Sequence, residues 1–435
     1  MRADGPIVTA TIVDLTHDGV GVADLDGRKI FVADALPGER VEIALRKRRR
    51  KMQEADLKRV LEPSPSRVTP ECEYFGRCGG CALQHLAHAA QVPFKQQAVA
   101  EALKRIGNVE PREWLPAVVS APWHYRRRAR LGVKYVAGKG RVLVGFRERA
   151  GPYITDMRHC PVLMPPLDGL LGELAELIEK SSVRERLPQI EAAVADDAVA
   201  LVLRVLEEPT AADAEAFRAF GAKHDIDLYW QRGGPGTVAP LDRARPLTYE
   251  LPEFGLKYEF LPTDFVQVNA ATNAELVSTA VRLAAPEATD RVLDLYCGLG
   301  NFSLPLAQRA GALLGVEGDA GLVARAARNA AANGIGNARF VTADLMALGW
   351  AFYRERWDVV VLDPPRTGAE APVAELDSSG VRRLVYVSCH PATLARDARA
   401  LVEKHGFTLS KARVFDMFPH THHIEALALF TRDEP

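Results

Sequence analysis

The feature that most constrains this 435-residue chain is a strand–helix alternation that begins near residue 262 and runs to its end. Short apolar runs stand at 292–296, 313–317, 338–344, 358–363 and 384–388, with helical stretches between them, including one at 304–309 and an alanine-rich one ending at Asn333. Apolar runs separated by helices satisfy their backbones and bury both faces in a mainly parallel sheet covered on two sides. Ligands of such a sheet bind outside the carboxyl ends of its strands. The residues at those ends are therefore the candidates for chemistry: Asp294, Cys297, Glu317, Asp344, Asp363 and Cys389.

The front of the chain follows a different rule. Residues 8–15 and 30–32 are rich in β-branched side chains, 41–45 alternate, and Asp18-Gly19, Gly21, Asp26-Gly27 and Pro37-Gly38 punctuate them. Five or so short strands with no helix predict a small β-barrel. It closes with six basic residues in a row, Arg46-Lys-Arg-Arg-Arg-Lys51, and a second basic run, His124-Tyr-Arg-Arg-Arg128-Ala-Arg130, carries aromatics. Either run could be a solvated loop, but the charge is lopsided. Residues 1–165 hold 28 Lys and Arg against 18 Asp and Glu, while the remainder hold 27 against 38. A basic front with interleaved aromatics is expected to contact RNA or DNA.

Between these parts, Glu62-Pro63-Ser-Pro65 reads as a linker, and 91–107 has helical spacing with Gly107 as its stop. Residues 115–260 mix strands and helices in an order the pattern does not reveal. The expected organisation is a barrel over 1–62, a mixed α+β middle domain over 63–261, and an α/β domain over 262–435, with the 91–107 helix packed on the last. Neither an N-terminal apolar run nor any eighteen-residue apolar stretch occurs, so a cytoplasmic enzyme with no membrane contact is expected.

The motif Asp294-Leu-Tyr296-Cys-Gly298-Leu-Gly300-Asn301 follows a strand and precedes a helix. Its glycines let the backbone approach a ligand closely, and Glu317, ending the next strand, can accept hydrogen bonds from ribose hydroxyls. The spacing is not that of a dinucleotide fingerprint, which favours S-adenosylmethionine. Asp363-Pro364-Pro365-Arg366 holds a carboxylate on a stiff turn, and its lack of a final aromatic disfavours amino-group methylation. Cys389 ends a strand at the ligand edge. It is either an inert core thiol or a nucleophile, and its position favours the second. Near the C-terminus, Phe418-Pro-His-Thr-His-His423-Ile-Glu425 lacks the spacing of a helical zinc motif, and Glu425, starting a strand, is a candidate general base.

The remaining cysteines form Cys72-x5-Cys78-Gly-Gly-Cys81, with Cys160 about eighty residues on. Zinc ribbons usually carry two paired C-x2-C elements, so this uneven set suits a four-iron cluster (4Fe-4S) better. Cys160 as a fourth ligand would close the cluster, which disfavours radical chemistry. Cys297 is expected only to fill space in the cofactor loop.

Taken together, these motifs resemble the RNA 5-methyluridine methyltransferase family over nearly the whole length, and within it the branch that modifies 23S rRNA. The first sixty residues resemble an RNA-binding TRAM barrel, OB-like in form. The resemblance implies a Rossmann-like class I methyltransferase domain, an iron–sulfur site at Cys72, Cys78, Cys81 and Cys160, and S-adenosylmethionine contacts from Gln267, Asn269, Asp294, Tyr296, Gly298, Gly300, Asn301, Glu317, Asp344 and Asp363. It further implies a covalent mechanism in which Cys389 attacks C6 of uracil and Glu425 removes the C5 proton, with Asp363 holding the base or the nucleophile. The expected product is 5-methyluridine in RNA, with 23S rRNA favoured, tRNA the alternative, and a monomeric enzyme. A non-catalytic RNA-binding iron–sulfur protein is the reading from another class. One position departs from the family pattern: His390 follows the nucleophile, where the family usually has Asn.

Overall fold

A computed structural model describes residues 5–46, 53–149 and 151–432. Strands β1 (Ile7–Leu15), β2 (Gly21–Leu25), β3 (Arg28–Val32), β4 (Arg40–Leu45) and β5 (Gln53–Glu62) close into a barrel in the order β1-β2-β3-β5-β4. Ile12, Ile30, Val41 and Ile43 fill it. Asp26 and Gly27 both take positive φ, as a tight hairpin turn requires. β5 was not legible beforehand, because its polar sequence alternates weakly and its pairing with β4 shifts register twice. Of the first basic run, Arg46 is described and pairs with Glu54 and Asp56, while residues 47–51 lie outside the described residues.

Helix α1 (His88–Ala102) continues into a wider turn, Leu103–Gly107. The stop is Asn108, which takes the left-handed conformation at φ 50°. Gly107 serves a different purpose: a Cβ there would lie 2.7 Å from the Ala395 carbonyl oxygen. The chain then adds a two-residue strand, β6 (Glu113–Trp114).

The middle of the chain supplies β7 (Arg128–Val136), β8 (Arg141–Gly145), α2 (Leu167–Lys180), β9 (Gln189–Val194), β10 (Val199–Arg204), α3 (Ala211–His224), β11 (Ile226–Gln231) and β12 (Val238–Pro240). Among the described residues its strands form one sheet ordered β12-β11-β10-β9-β7-β8. Leu170, Leu171 and Leu174 of α2 and Phe217 of α3 share a core with Leu201 and Leu203 of that sheet. A hairpin of β13 (Leu247–Leu251) and β14 (Leu256–Phe260) follows.

The last part comprises α4 (Ala270–Ala284), β15 (Arg291–Leu295), α5 (Ser303–Ala307), β16 (Ala312–Glu317), α6 (Ala320–Ala332), β17 (Ala338–Thr342), β18 (Val359–Leu362), α7 (Glu370–Glu375), β19 (Arg383–Ser388), α8 (Pro391–Glu403), β20 (Thr408–Phe415) and β21 (Glu425–Thr431). Among the described residues the sheet order is β17-β16-β15-β18-β19-β21-β20-β6. β15 to β19 pair in parallel, and β21 runs antiparallel to both β19 and β20.

Alternate residues of each central strand enter opposite cores. Val292, Val359 and Val361 join α4, α5 and the β13–β14 hairpin on one face. Leu293, Val360 and Leu362 join α8 and Val99 and Leu103 of the α1 segment on the other. This two-sided burial explains why the strands read as continuous apolar runs. The packing unit around the sheet therefore draws in residues 247–260 and 88–114 as well as the chain after 262.

Candidate active site and the cysteine cavity

The strand order reverses between β15 and β18, where α/β sheets open a crevice for ligands. A cavity of about 530 Å³ lies there. Gln267, Tyr296, Gly298, Asn301, Glu317, Asp363, Cys389 and Glu425 all line it, so most of the sequence-derived candidates converge. Arg366, Phe418 and the exposed ring of Phe265 line it too. Phe265 was not anticipated, since a single aromatic two residues before Gln267 is too ordinary a feature to mark a site.

The glycine loop is built tightly. Tyr296 takes a φ of 66°, an uncommon conformation for a residue with a Cβ. Gly300 has φ 96°, and a Cβ on it would meet the Leu304 side chain at 2.5 Å. Glu317 accepts hydrogen bonds from the backbone N–H of Gly298 (3.1 Å), Gly318 (2.7 Å) and Asp319 (3.1 Å). Its carboxylate thereby fixes the loop and keeps lone pairs free for a ligand. Asn301 is oriented by a reciprocal amide pair with Asn273 and by the Tyr249 hydroxyl, which donates to it at 3.0 Å.

Four expected cofactor contacts stand off the cavity wall. Asp294 is fully buried, accepts a hydrogen bond from Ser303, and leaves Oδ1 without a partner. Burial pushes its carboxyl up to about 7. Gly300 acts through the turn. Asn269 caps α4 by accepting from the Thr272 N–H, and its amide donates to Ser120. Asp344 is exposed beyond β17 and accepts from the Met346 N–H at 2.9 Å. Cys297 is buried beneath the loop with its thiol against Gly315 and pushed well up by burial, consistent with filling space.

At the other end of the cavity, the antiparallel register pairs Val387 with Leu427 and Ser388 with Ala426, so the next step sets Cys389 opposite Glu425. Asp363 sits at the end of β18, one strand away. Burial and, secondarily, Asp363 raise the Glu425 carboxyl well above its usual range. Burial and Glu317 lift Asp363 to about 7. Burial, Glu425 and Asp363 lift the Cys389 thiol to about 11, with Arg366 opposing them. Burial thus favours the neutral, protonated form of all three groups. His390 accepts from the Thr393 N–H and caps α8, which is the work an Asn does equally well at that position.

A second opening faces Cys389 from outside. It is lined by His390, His422, His423 and Arg366, and by His17 and Asp18 from the β1–β2 turn of the barrel. The barrel thus forms one wall of this opening.

Cys72, Cys78, Cys81 and Cys160, distant in sequence, line a single cavity of about 160 Å³ together with Arg126 and His423. Burial raises all four thiols, Cys81 to about 11 and Cys160 to about 12. Among the described residues, no three His, Cys, Asp or Glu side chains stand close enough to hold one metal ion. Several side chains of the second basic run are engaged within the protein, while Arg130 stays largely exposed. Tyr125 is buried and donates to the Pro419 carbonyl, Arg127 is buried against Asp196, Arg128 reaches the Pro262 carbonyl, and Arg130 pairs with Glu191.

Residues 246–433 match a protein-family model described as tRNA (Uracil-5-)-methyltransferase, and residues 8–66 match the TRAM domain of tRNA (uracil(54)-C(5))-methyltransferase. The chain is 48% identical over 431 residues to the 23S rRNA (uracil(1939)-C(5))-methyltransferase RlmD of Methylococcus capsulatus, covering 98% of this chain and 97% of that one. It is 46% identical over 428 residues to the protein of the same name from Nitrosospira multiformis, covering 97% and 98%. Among solved structures, the Pyrococcus abyssi tRNA (uracil-54, C5)-methyltransferase in complex with S-adenosyl-L-homocysteine superposes with a TM-score of 0.75 at 26% identity, over 98% of this chain and all of that one.

Proposed function

The chain belongs to the RNA uracil-5-methyltransferase family, and from that membership we infer that it transfers a methyl group from S-adenosylmethionine to C5 of a uridine in 23S rRNA. The near full-length identity to 23S rRNA enzymes carries the substrate assignment. The meeting of Cys389, Asp363 and Glu425 on one cavity supports the chemistry. S-adenosylmethionine supplies the electrophilic methyl group, with Gln267, Tyr296, Gly298, Asn301, Glu317 and Asp363 around it and Asp294 and Gly300 shaping the loop beneath.

We assign the following roles. The Cys389 thiol passes its proton to Asp363 as Sγ bonds to uracil C6, and the C5–C6 π pair moves onto C5 and its carbonyl. C5 then takes the methyl group. The Glu425 carboxylate removes the C5 proton, that electron pair rebuilds the C5–C6 double bond, and the C6–S bond breaks to return the thiolate. A carboxyl raised by burial is the stronger base once ionised, which suits Glu425 to a carbon acid. Phe265 offers a face for the extruded base, because a uridine reaches this depth only out of its stack.

Asp363 is protonated below about 7 and ionised above it, so turnover should rise with pH through that region. A kcat that stays level from pH 5.5 to 8 would remove Asp363 from the reaction.

We assign residues 1–62 to RNA binding as a TRAM barrel, 63–261 to a central domain, and 262–435 to catalysis in a monomeric, cytoplasmic enzyme. The four thiols around one cavity fit a 4Fe-4S cluster held by Cys72, Cys78, Cys81 and Cys160. A single ion needs every sulfur about 2.3 Å from one centre, whereas a cluster gives each thiolate its own iron, in keeping with thiols that share a cavity without meeting at one point. Such a cluster would act as a cross-link, since methyl transfer moves no electron. Both family descriptions and the solved relative name tRNA, which makes tRNA the second reading. Methylating 23S rRNA and total tRNA side by side, then mapping the product by mass, tests the choice: one labelled uridine in 23S rRNA is expected, and label confined to tRNA would overturn it.

A further inference from the structure

A buried ionic and amide network that the reaction does not use lies behind the active site. Lys95 of α1 has no solvent exposure, and its ammonium donates to Asp416 Oδ1 at 2.8 Å and to the Phe418 carbonyl at 2.9 Å. His88 Nε2 stands 2.7 Å from Asp416 Oδ2. Gln91, also fully buried, accepts from the His420 N–H at 2.8 Å, and its amide donates to the Leu83 and Leu86 carbonyls. The backbone N–H groups of Ala82 and Leu83, next to Cys81, both donate to the His420 carbonyl at 2.9 Å. His420 itself is held at φ 65°, with its ring 4.0 Å from that of Trp123.

Apart from the two Gln91 bonds to the Leu83 and Leu86 carbonyls, these contacts fall on residues 416–423, the segment that bears Phe418 on the cavity wall and leads into Glu425. A buried cation and a strained backbone persist only where surroundings over-determine them. Directional bonds of this kind fix one arrangement of the loop relative to α1.

We propose that Gln91, His88 and Lys95 of α1, with the Ala82 and Leu83 backbone, are positioning groups for proton removal: they lock the 416–423 loop so that Glu425 faces C5 of the bound uracil. This rests on Glu425 being the base. The cysteine loop is thereby tied to a specific step of catalysis through its backbone.

The test is single turnover on 23S rRNA carrying tritium at uridine C5, with carbon-14 in the donor methyl group. In the wild type, methyl uptake and tritium release coincide. Gln91→Ala is expected to keep methyl uptake and S-adenosylmethionine affinity within about threefold, while slowing tritium release about tenfold or more and accumulating methylated protein–RNA adduct on a denaturing gel. His88→Ala, at a partly exposed position that tolerates truncation, should show the same split more weakly, and His88→Gln, which keeps an N–H donor, should restore it. Equal slowing of both labels, or neither, overturns the proposal. Should Glu425→Gln release tritium at the wild-type rate, the base assignment falls and the clamp with it. Should Glu425→Gln stall release while Gln91→Ala and His88→Ala do not, the clamp alone falls.

Discussion

Replacing Cys389 by alanine is expected to lower methylation of 23S rRNA by at least about a thousandfold, because loss of a covalent nucleophile leaves only binding and orientation behind. C5 of uracil carries too little electron density to attack a methyl group until a nucleophile has added at C6. Cys389 is the thiol that reaches the catalytic cavity from a strand end, and Cys297, the other thiol on that cavity, is sealed beneath the glycine loop. The contacts expected for the methyl donor come from the loops after β15 and β16, with Gln267 and Asp363 beside them, and none is Cys389, so the variant should bind S-adenosylmethionine with an affinity within a few-fold of wild type. Equilibrium dialysis with labelled donor and methyl incorporation into rRNA measure the two separately. Retention of a tenth of the wild-type rate would end the covalent mechanism. Cys389→Ser is no substitute, since an alkoxide is far harder to form beside Asp363 and Glu425 than a thiolate whose proton is already held to about 11.

The second large effect is expected at Glu425. Glu425→Gln keeps the shape of the side chain and the pairing of β21 with β19 and β20, yet removes the proton acceptor. Turnover should fall about a hundred- to ten-thousandfold, and the enzyme should stall after methyl transfer as a covalent protein–RNA adduct that migrates slowly on a denaturing gel. The same variant has a stability signature. Glu425 is 3% exposed and its carboxyl is raised in the fold, so folding favours the protonated form and stability is lost as pH rises towards the folded-state value. Glu425→Gln should flatten that loss, giving a melting temperature less sensitive to pH than the wild type. A variant that turns over freely with no adduct would place the base elsewhere.

How much of this was legible in the sequence depended on range. The strands of the catalytic sheet were visible because burial on both faces leaves unbroken apolar runs, and their terminal carboxylates marked the ligand edge. The barrel was visible through its turns. The middle sheet was not, because β7 pairs with β9 across some sixty residues and no local pattern encodes that choice. β6 was invisible for the same reason: two residues that join a strand about three hundred positions away. Residue type misled where one group does another's work. Gly107 looked like a helix stop and is a close-approach site. Asn269 looked like a ligand contact, and the structure shows its side chain capping α4. Arg127 looked like part of a phosphate grip and is buried against Asp196, whereas Arg130, paired with Glu191, remains exposed. The α1 clamp on residues 416–423 had no sequence signal, since its bonds span more than three hundred residues.

The opening onto Cys389 is walled by residues far apart in sequence: His17 and Asp18 from the barrel, Arg366, and residues 389–391 and 422–424 from the loops around the last strands. A chain leaving the ribosome exposes the barrel first, and domains fold as they emerge. The doorway for substrate therefore comes into being only with the last few dozen residues. An unfinished copy, although born beside the very class of RNA it modifies, has one jamb and no door.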